Sequence, residues 1–297
     1  TFAVASNTGD SYGYSNLSVF LDNDNDGVPD GAAITSYSLS AGESVGLIVA
    51  ANVPSGATVS QNGSLTLTVN SLNSASGTKT NVDTATVTNQ SALVVRKKFS
   101  QTSVANGDIV TVRLNYQNLG STATGSVTLT DTLDSSLVYQ LNAGENWNGT
   151  TVNPSTGSDD PPGINYSVTA NTVTAVISSV PANATGYIEF KVKVNKTTAG
   201  PINNTVSFRY DHDNNTATAN ISDLSNIAVL NVASIYAVKI NGSATDANNS
   251  ATVFASAAAQ GGELSFNNYV WNNGNNTDVF NVTMTGSTFP TGSQIEF

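Results

Sequence analysis

Apolar residues in this chain recur at every second position in short runs, and the runs are separated by clusters of Gly, Asn, Asp and Pro. Leu65, Leu67 and Val69 form one such set, Val110, Val112, Leu114 and Tyr116 a second, Ile188, Phe190, Val192 and Val194 a third, and Val206, Phe208 and Tyr210 a fourth. Thr, Ser, Lys or Asn stand between them. A period of two puts the apolar set on one face of an extended strand, so each run predicts a half-buried strand. Frequent turn signals between short strands predict β-sandwiches. The one helix-favouring stretch, residues 255–260, runs into Gly261 and Gly262 and is too short to nucleate a lasting helix. The expected fold class is all-β.

The turns repeat. ASNTGD at 5–10, YQNLGS at 116–121 and VWNNGN at 270–275 each lie between strand-like runs, and the alternating segments YSNLSVFL, GSVTLTDTL and DVFNVTMTG come after them. Asn and Gly suit the positive φ of tight connections. Three modules are therefore expected, at 1–92, 93–230 and 231–297. The first lacks a run equivalent to residues 93–98, and the third ends before its sandwich could close. Two explanations are open: a longer native chain completes each module, or a second copy does so by strand addition, which would make the protein a head-to-tail homopolymer.

Between two strand-like flanks, 18–21 and 34–39, lies DNDNDGVPD, the one run whose spacing specifies a chemistry. Asp22, Asp24 and Asp26 alternate, Gly27 allows a sharp turn, Val28 can offer its carbonyl, and Asp30 completes the run. These are the hard oxygen donors that Ca²⁺ takes, and alternating carboxylates repel one another unless a cation sits among them. Ala33 stands where an EF-hand has its bidentate Glu. The loop instead resembles those of thrombospondin type 3 repeats and of bacterial extracellular repeat modules.

Composition narrows the function classes. The 297 residues carry a net charge of -11, which argues against nucleic acid and anionic membranes as partners. The absence of cysteine removes thiol catalysis, Cys-ligated zinc and iron–sulfur chemistry, and no apolar run is long enough for a transmembrane helix. The single histidine, His212, lies in DHDNN, which reads as a polar turn, and no nucleophile elbow is present. The expectation is that the chain is not an enzyme.

The segment LVVRKKFSQTSVANGDIVTVRLNYQNLGSTATGSVTLTDTLDSSLVY resembles the immunoglobulin-like DUF11 or conserved-repeat domain of bacterial and archaeal surface proteins. Lys97, Gly107 with Asp108, Asn118 with Gly120, and Asp131 to Leu133 carry the resemblance, while Asp134 replaces the usual Pro and residues 141–165 look like an insertion. The likeness implies tandem immunoglobulin-like β-sandwiches on the outside of a prokaryotic cell. It also implies a candidate Lys–Asn isopeptide bond, with Lys97 on a first strand, Asn204 on a last strand and Asp131 as the buried acid. The function expected is a structural subunit of an extracellular or cell-surface fibrous assembly, with Ca²⁺ as cofactor. The alternative is an adhesin or carbohydrate-binding protein holding glycans or a host surface, with Trp147, set among Asn and Gly, as the glycan contact.

Overall fold

The structure, a computed structural model, describes all residues except 42, 75–76, 155–157, 216–218, 251, 254–256, 258 and 284–297. Among the described residues there is no helix and the fold is all-β. Half of the helix-favouring stretch, Ala255, Ser256 and Ala258, lies outside the described residues. The chain forms two compact units, Thr1–Lys196 with Pro201–Val232, and Thr197–Gly200 with Ala233–Phe297.

The first unit is built on an immunoglobulin-like sandwich. One sheet runs in the order Thr150–Thr151, Asn146–Trp147, Thr185–Val194, Ile109–Asn118, Leu93–Phe99, with Leu137–Gln140 also pairing Thr185–Val194. The other runs Ile164–Thr169, Thr172–Ile177, Val127–Thr132, Ser207–Tyr210, Ile221–Leu224. A third, small sheet joins Gly200–Asn204, Ala228–Val232 and Ser103–Val104, the last pair being parallel. The alternating sets predicted at 110–116, 188–194 and 206–210 are all buried and share one hydrophobic core. Residues 141–165 are not a detached insertion, because their strands Asn146–Trp147 and Thr150–Thr151 extend an edge of the first sheet.

Residues 1–92 belong to the same unit and contribute two smaller ladders. Phe2–Ser6, Asn62–Asn70 and Thr78–Thr86 form one, and Ser15–Asp22 with Gly46–Asn52 the other. The strand expected at 34–39 is absent: the chain makes a single bridge from Asp30 to Leu21 and two backbone bonds, Ile34 N to Val19 O (2.7 Å) and Phe2 N to Thr35 O (2.7 Å), then leaves Tyr37 and Leu39 about half exposed. Alternation there has no neighbouring ladder to bury it. Likewise residues 278–283 form no strand, and 284–286 lie outside the described residues.

The repeated turns obey one rule in two of three cases. The Asn118 side-chain oxygen accepts the Gly120 N–H (2.9 Å), while Leu119 N donates to Ala92 O (2.8 Å) and Ser121 N to Gln90 O (3.2 Å). In the second unit, Asn272 accepts from Gly274 N (2.9 Å), Asn273 N donates to Ala237 O (2.8 Å) and Asn275 N to Ile235 O (3.0 Å). Asn7 departs from this pattern, spending its amide on Ser64 and Thr66 of a neighbouring strand. Gly is required because the preceding backbone presses on the turn: a Cβ at Gly120 would sit 2.2 Å from Gln90 O, and one at Gly274 2.2 Å from Ile235 O. Gly120→Ala is therefore expected to destabilise the first unit by about 1–3 kcal/mol through overpacking. Gly56→Ala, where a Cβ meets nothing within 4 Å, should change stability little; denaturant melts of both variants check this.

Candidate functional site: a buried lysine and an aspartate loop

Strand parity decides where the key side chains go. In Leu93–Phe99 the buried positions are Leu93, Val95, Lys97 and Phe99, so the lysine occupies a core slot while Arg96 and Lys98 face outward. Val127, Leu129 and Asp131 alternate inward on their own strand, as do Ile202 and Asn204 on theirs. Three inward positions on three sheets thus meet: Lys97 and Asp131 are fully buried and Asn204 is nearly so. Lys97 Nζ contacts Asp131 Oδ2 at hydrogen-bonding distance and donates to Asn204 Oδ1 (2.6 Å), and the Phe99 ring lies 5.8 Å away. Asn204 is not on the last strand of its module, as Ser207–Tyr210, Ile221–Leu224 and Ala228–Val232 come after it. It reaches the lysine through the small third sheet instead.

Burial sets the protonation of this group. Desolvation pushes the Lys97 amine down, against the pull of Asp131 beside it, and pushes the Asp131 carboxyl up, against Lys97 and the Asn204 amide. Asp131 Oδ1 is buried with no hydrogen-bond partner among the described residues, an arrangement a carboxylic acid tolerates far better than a carboxylate. Glu145, another buried acid of this unit, differs: it accepts from the Tyr139 hydroxyl (2.8 Å) and from the Asn142 and Gly144 N–H groups (2.8 and 3.1 Å). With the proton held by the acid, Lys97 would be a free amine next to an amide.

That is the starting geometry for amide exchange. Addition of the Nζ lone pair to Asn204 Cγ forms the new C–N bond and moves the carbonyl π pair onto Oδ1, where the Asp131 proton can stabilise it. Collapse breaks the Cγ–Nδ2 bond, and Nδ2 leaves as ammonia with the proton given up by Nζ. Amine plus primary amide become secondary amide plus ammonia, without oxidant or cofactor. Asn204 Nδ2 donates to Thr132 O (3.0 Å), so the leaving nitrogen is held away from the nucleophile and the carbonyl side is presented to it.

The aspartate loop is only partly as expected. Asp22, Asp24 and Asp30 bring carboxylate oxygens within 4.8 Å of one another. Asp22, buried at the end of its strand, accepts from Asp26 N (2.9 Å) and Gly27 N (3.0 Å), and Asp30 accepts from Asn23 N (2.7 Å), so the loop backbone is wound around the cluster. Burial raises the Asp22 carboxyl, the two backbone bonds oppose this, and neighbouring Asp26 and Asp24 add to it. Asp26 turns elsewhere: it accepts from Val28 N (2.9 Å) and pairs with Lys98 (3.1 Å). Three convergent hard oxygens fit a divalent cation such as Ca²⁺, and Asp26 lies outside the set.

Trp147 corrects the glycan reading. It is 2% exposed, packs edge-on against Tyr116 (centroids 6.2 Å apart) and donates its indole N–H to the Tyr116 hydroxyl (2.9 Å). Its flanking Asn and Gly residues belong to a tight turn, and the ring points into the core. His212 is a turn residue, as expected, with its ring against Asn220 (2.9 Å).

No protein-family model matches this chain, and no curated protein does. Among solved structures it is similar to the major pilin subunit BcpA of Bacillus cereus, with 12% identity, a TM-score of 0.42, and 92% of this chain and 85% of that chain covered. It is also similar to the full-length major pilin SpaD of Corynebacterium diphtheriae (12%, TM-score 0.36, covering 78% and 64%). A C-terminal fragment of the major pilin GBS80 of Streptococcus agalactiae is similar at 15% identity and a TM-score of 0.37, over 52% of this chain and 60% of that fragment.

Trp147→Ala should cost about 3–5 kcal/mol as a core cavity. Denaturant unfolding reads that loss, and a glycan array read on the same variant should show no change attributable to the indole.

Proposed function

We propose that this chain is a non-enzymatic structural subunit of an extracellular or cell-surface fibrous assembly, and that its central sandwich is closed by an intramolecular amide between Lys97 and Asn204. The observation that carries this reading is the buried Lys97, Asp131 and Asn204 group. An amine, an acid and a primary amide in one dry core are costly to hold unless they do something that a hydrophobic trio could not. A chain without cysteine has no disulfides, and this bond would take their place.

The bond would join residues 107 positions apart. By the loop-closure account of cross-links, a loop of this size contributes about 4–5 kcal/mol. The purified protein should be lighter than its sequence mass by one ammonia, and Asn204→Ala and Asp131→Ala should each restore the full mass. Asn204→Ala should also lower the melting temperature by roughly 10–20 °C. A wild-type mass equal to the plain sequence mass would overturn the cross-link.

Asp22, Asp24 and Asp30 are proposed to hold Ca²⁺, with the Val28 carbonyl as a further candidate ligand. The ion would supply positive charge that offsets carboxylate repulsion and so tie the loop down. Calcium should raise the melting temperature in proportion to ln(1 + [L]/Kd), and Asp24→Asn with Asp30→Asn should remove the effect. Flat calorimetric titration with unchanged melting would count against the ion.

Assembly is proposed to be head to tail by strand addition between copies. Supporting this, the second unit presents a two-stranded sheet, Val238–Asn241 with Tyr269–Asn272, on which Val238, Ile240, Tyr269 and Val270 are exposed. Such an edge accepts a further strand. Negative-stain images of native material should show filaments, and isolated particles at all concentrations would oppose the proposal.

A further inference from the structure

The reacting lysine and asparagine stand on separate sheets, so something must set the distance between their backbones. Two residues outside the reacting group do so. Asn226, half-buried between the strands Ile221–Leu224 and Ala228–Val232, places its side-chain amide against the open edge of the lysine strand. Its Oδ1 accepts from Lys97 N (2.8 Å) and its Nδ2 donates to Lys97 O (2.8 Å), so one side chain takes both backbone groups of the nucleophile residue, as a neighbouring strand would. Ser225, immediately before it, grips the other side. Ser225 N donates to Val206 O (2.9 Å), Val206 N donates to Ser225 Oγ (2.9 Å), and the Ser225 hydroxyl donates to Asn226 O (2.8 Å). Val206 is two residues beyond Asn204. The pair therefore spans from the backbone of the amine to the backbone of the amide.

The outer side of Asn226 is occupied by the aspartate loop. Asn226 Nδ2 also donates to Asn25 O (2.6 Å), Arg96 Nε donates to Gly27 O (2.9 Å), and Lys98 pairs with Asp26. A Cβ on Gly27 would lie 3.2 Å from the Asn226 amide and 3.3 Å from Arg96. Residues 25–27 of the loop thus meet residues 96–98 of the lysine strand, with Asn226 shared between them.

We propose that Asn226, braced by Ser225 and capped by the aspartate loop, is the positioning residue for amide formation, fixing the lysine strand at the separation from Asn204 at which Nζ can attack. The proposal rests on the cross-link reading above. Asn226 touches neither reacting side chain. Its effect is on register and distance, to which an intramolecular attack is acutely sensitive.

The test tracks newly synthesised full-length chain in a cell-free system, sampling intact mass over time for the loss of ammonia. Asn226→Ala should slow that loss by roughly tenfold or more. Asn226→Asp keeps an acceptor for Lys97 N but loses both donated bonds, so it should fall between Asn226→Ala and the wild type. The same two substitutions are placed in an Asn204→Ala background, where no bond can form, and their denaturant midpoints measure any purely structural effect. A rate within twofold of wild type, or a slowing no larger than the unfolded fraction measured in that background, would overturn the positioning role. A wild-type chain that never loses ammonia would overturn the cross-link reading itself, a separate result from either of these.

Discussion

Taking an amine and a carboxyl out of water costs several kcal/mol for each group left charged, and the core of the first unit is arranged around relieving that cost. Burial pushes the Asp131 carboxyl up and the Lys97 amine down, each toward its neutral form, and Asn204 supplies the remaining polar contact. Around this group the core is largely apolar, and the buried Glu145 and Asn118 are heavily hydrogen-bonded. Removing a single partner would leave the others stranded, which makes the three residues a unit in energy as well as in space.

Much of the fold was legible in residue spacing. Period-two alternation identified the central strands, and the Asn-x-Gly turns identified the repeat in two of its three occurrences, because both signals arise from local geometry. Lys97 and Asp131 share a parity with Val95 and Leu129, so their inward direction was also readable. Failures came where distant partners decide. Trp147 looks like a loop aromatic until its two-residue strand is paired with Thr185–Val194, and residues 34–39 alternate but find no ladder. Asp26 has the spacing of a metal ligand, yet Lys98, 72 positions away, takes its carboxylate. Asn226 carries no local signal at all, since its meaning lies in contacts to residues 129 and 201 positions away.

These long-range contacts change how the first unit is divided. Repeat spacing separates residues 1–92 from the central sandwich, whereas the aspartate loop is seated on the lysine strand and belongs to its immediate surroundings. A loop that would be a peripheral ornament on an isolated module is here one wall of the neighbouring one. Order in the loop and order at the lysine strand are therefore linked through a shared amide, with only a few hydrogen bonds carrying the connection.

The placement of Lys97 near the beginning of its sandwich and of Asn204 toward the end bears on how the chain would respond to being pulled. Were the two joined, tension entering along the lysine strand would pass through the side-chain link directly to the asparagine strand. The segment between them would carry no load, and at about 3.3–3.6 Å per residue its more than one hundred residues represent several hundred ångströms of hidden length that stretching could not release. In a chain without cysteine, such a bypass would make the part of the sandwich between Lys97 and Asn204 nearly inextensible.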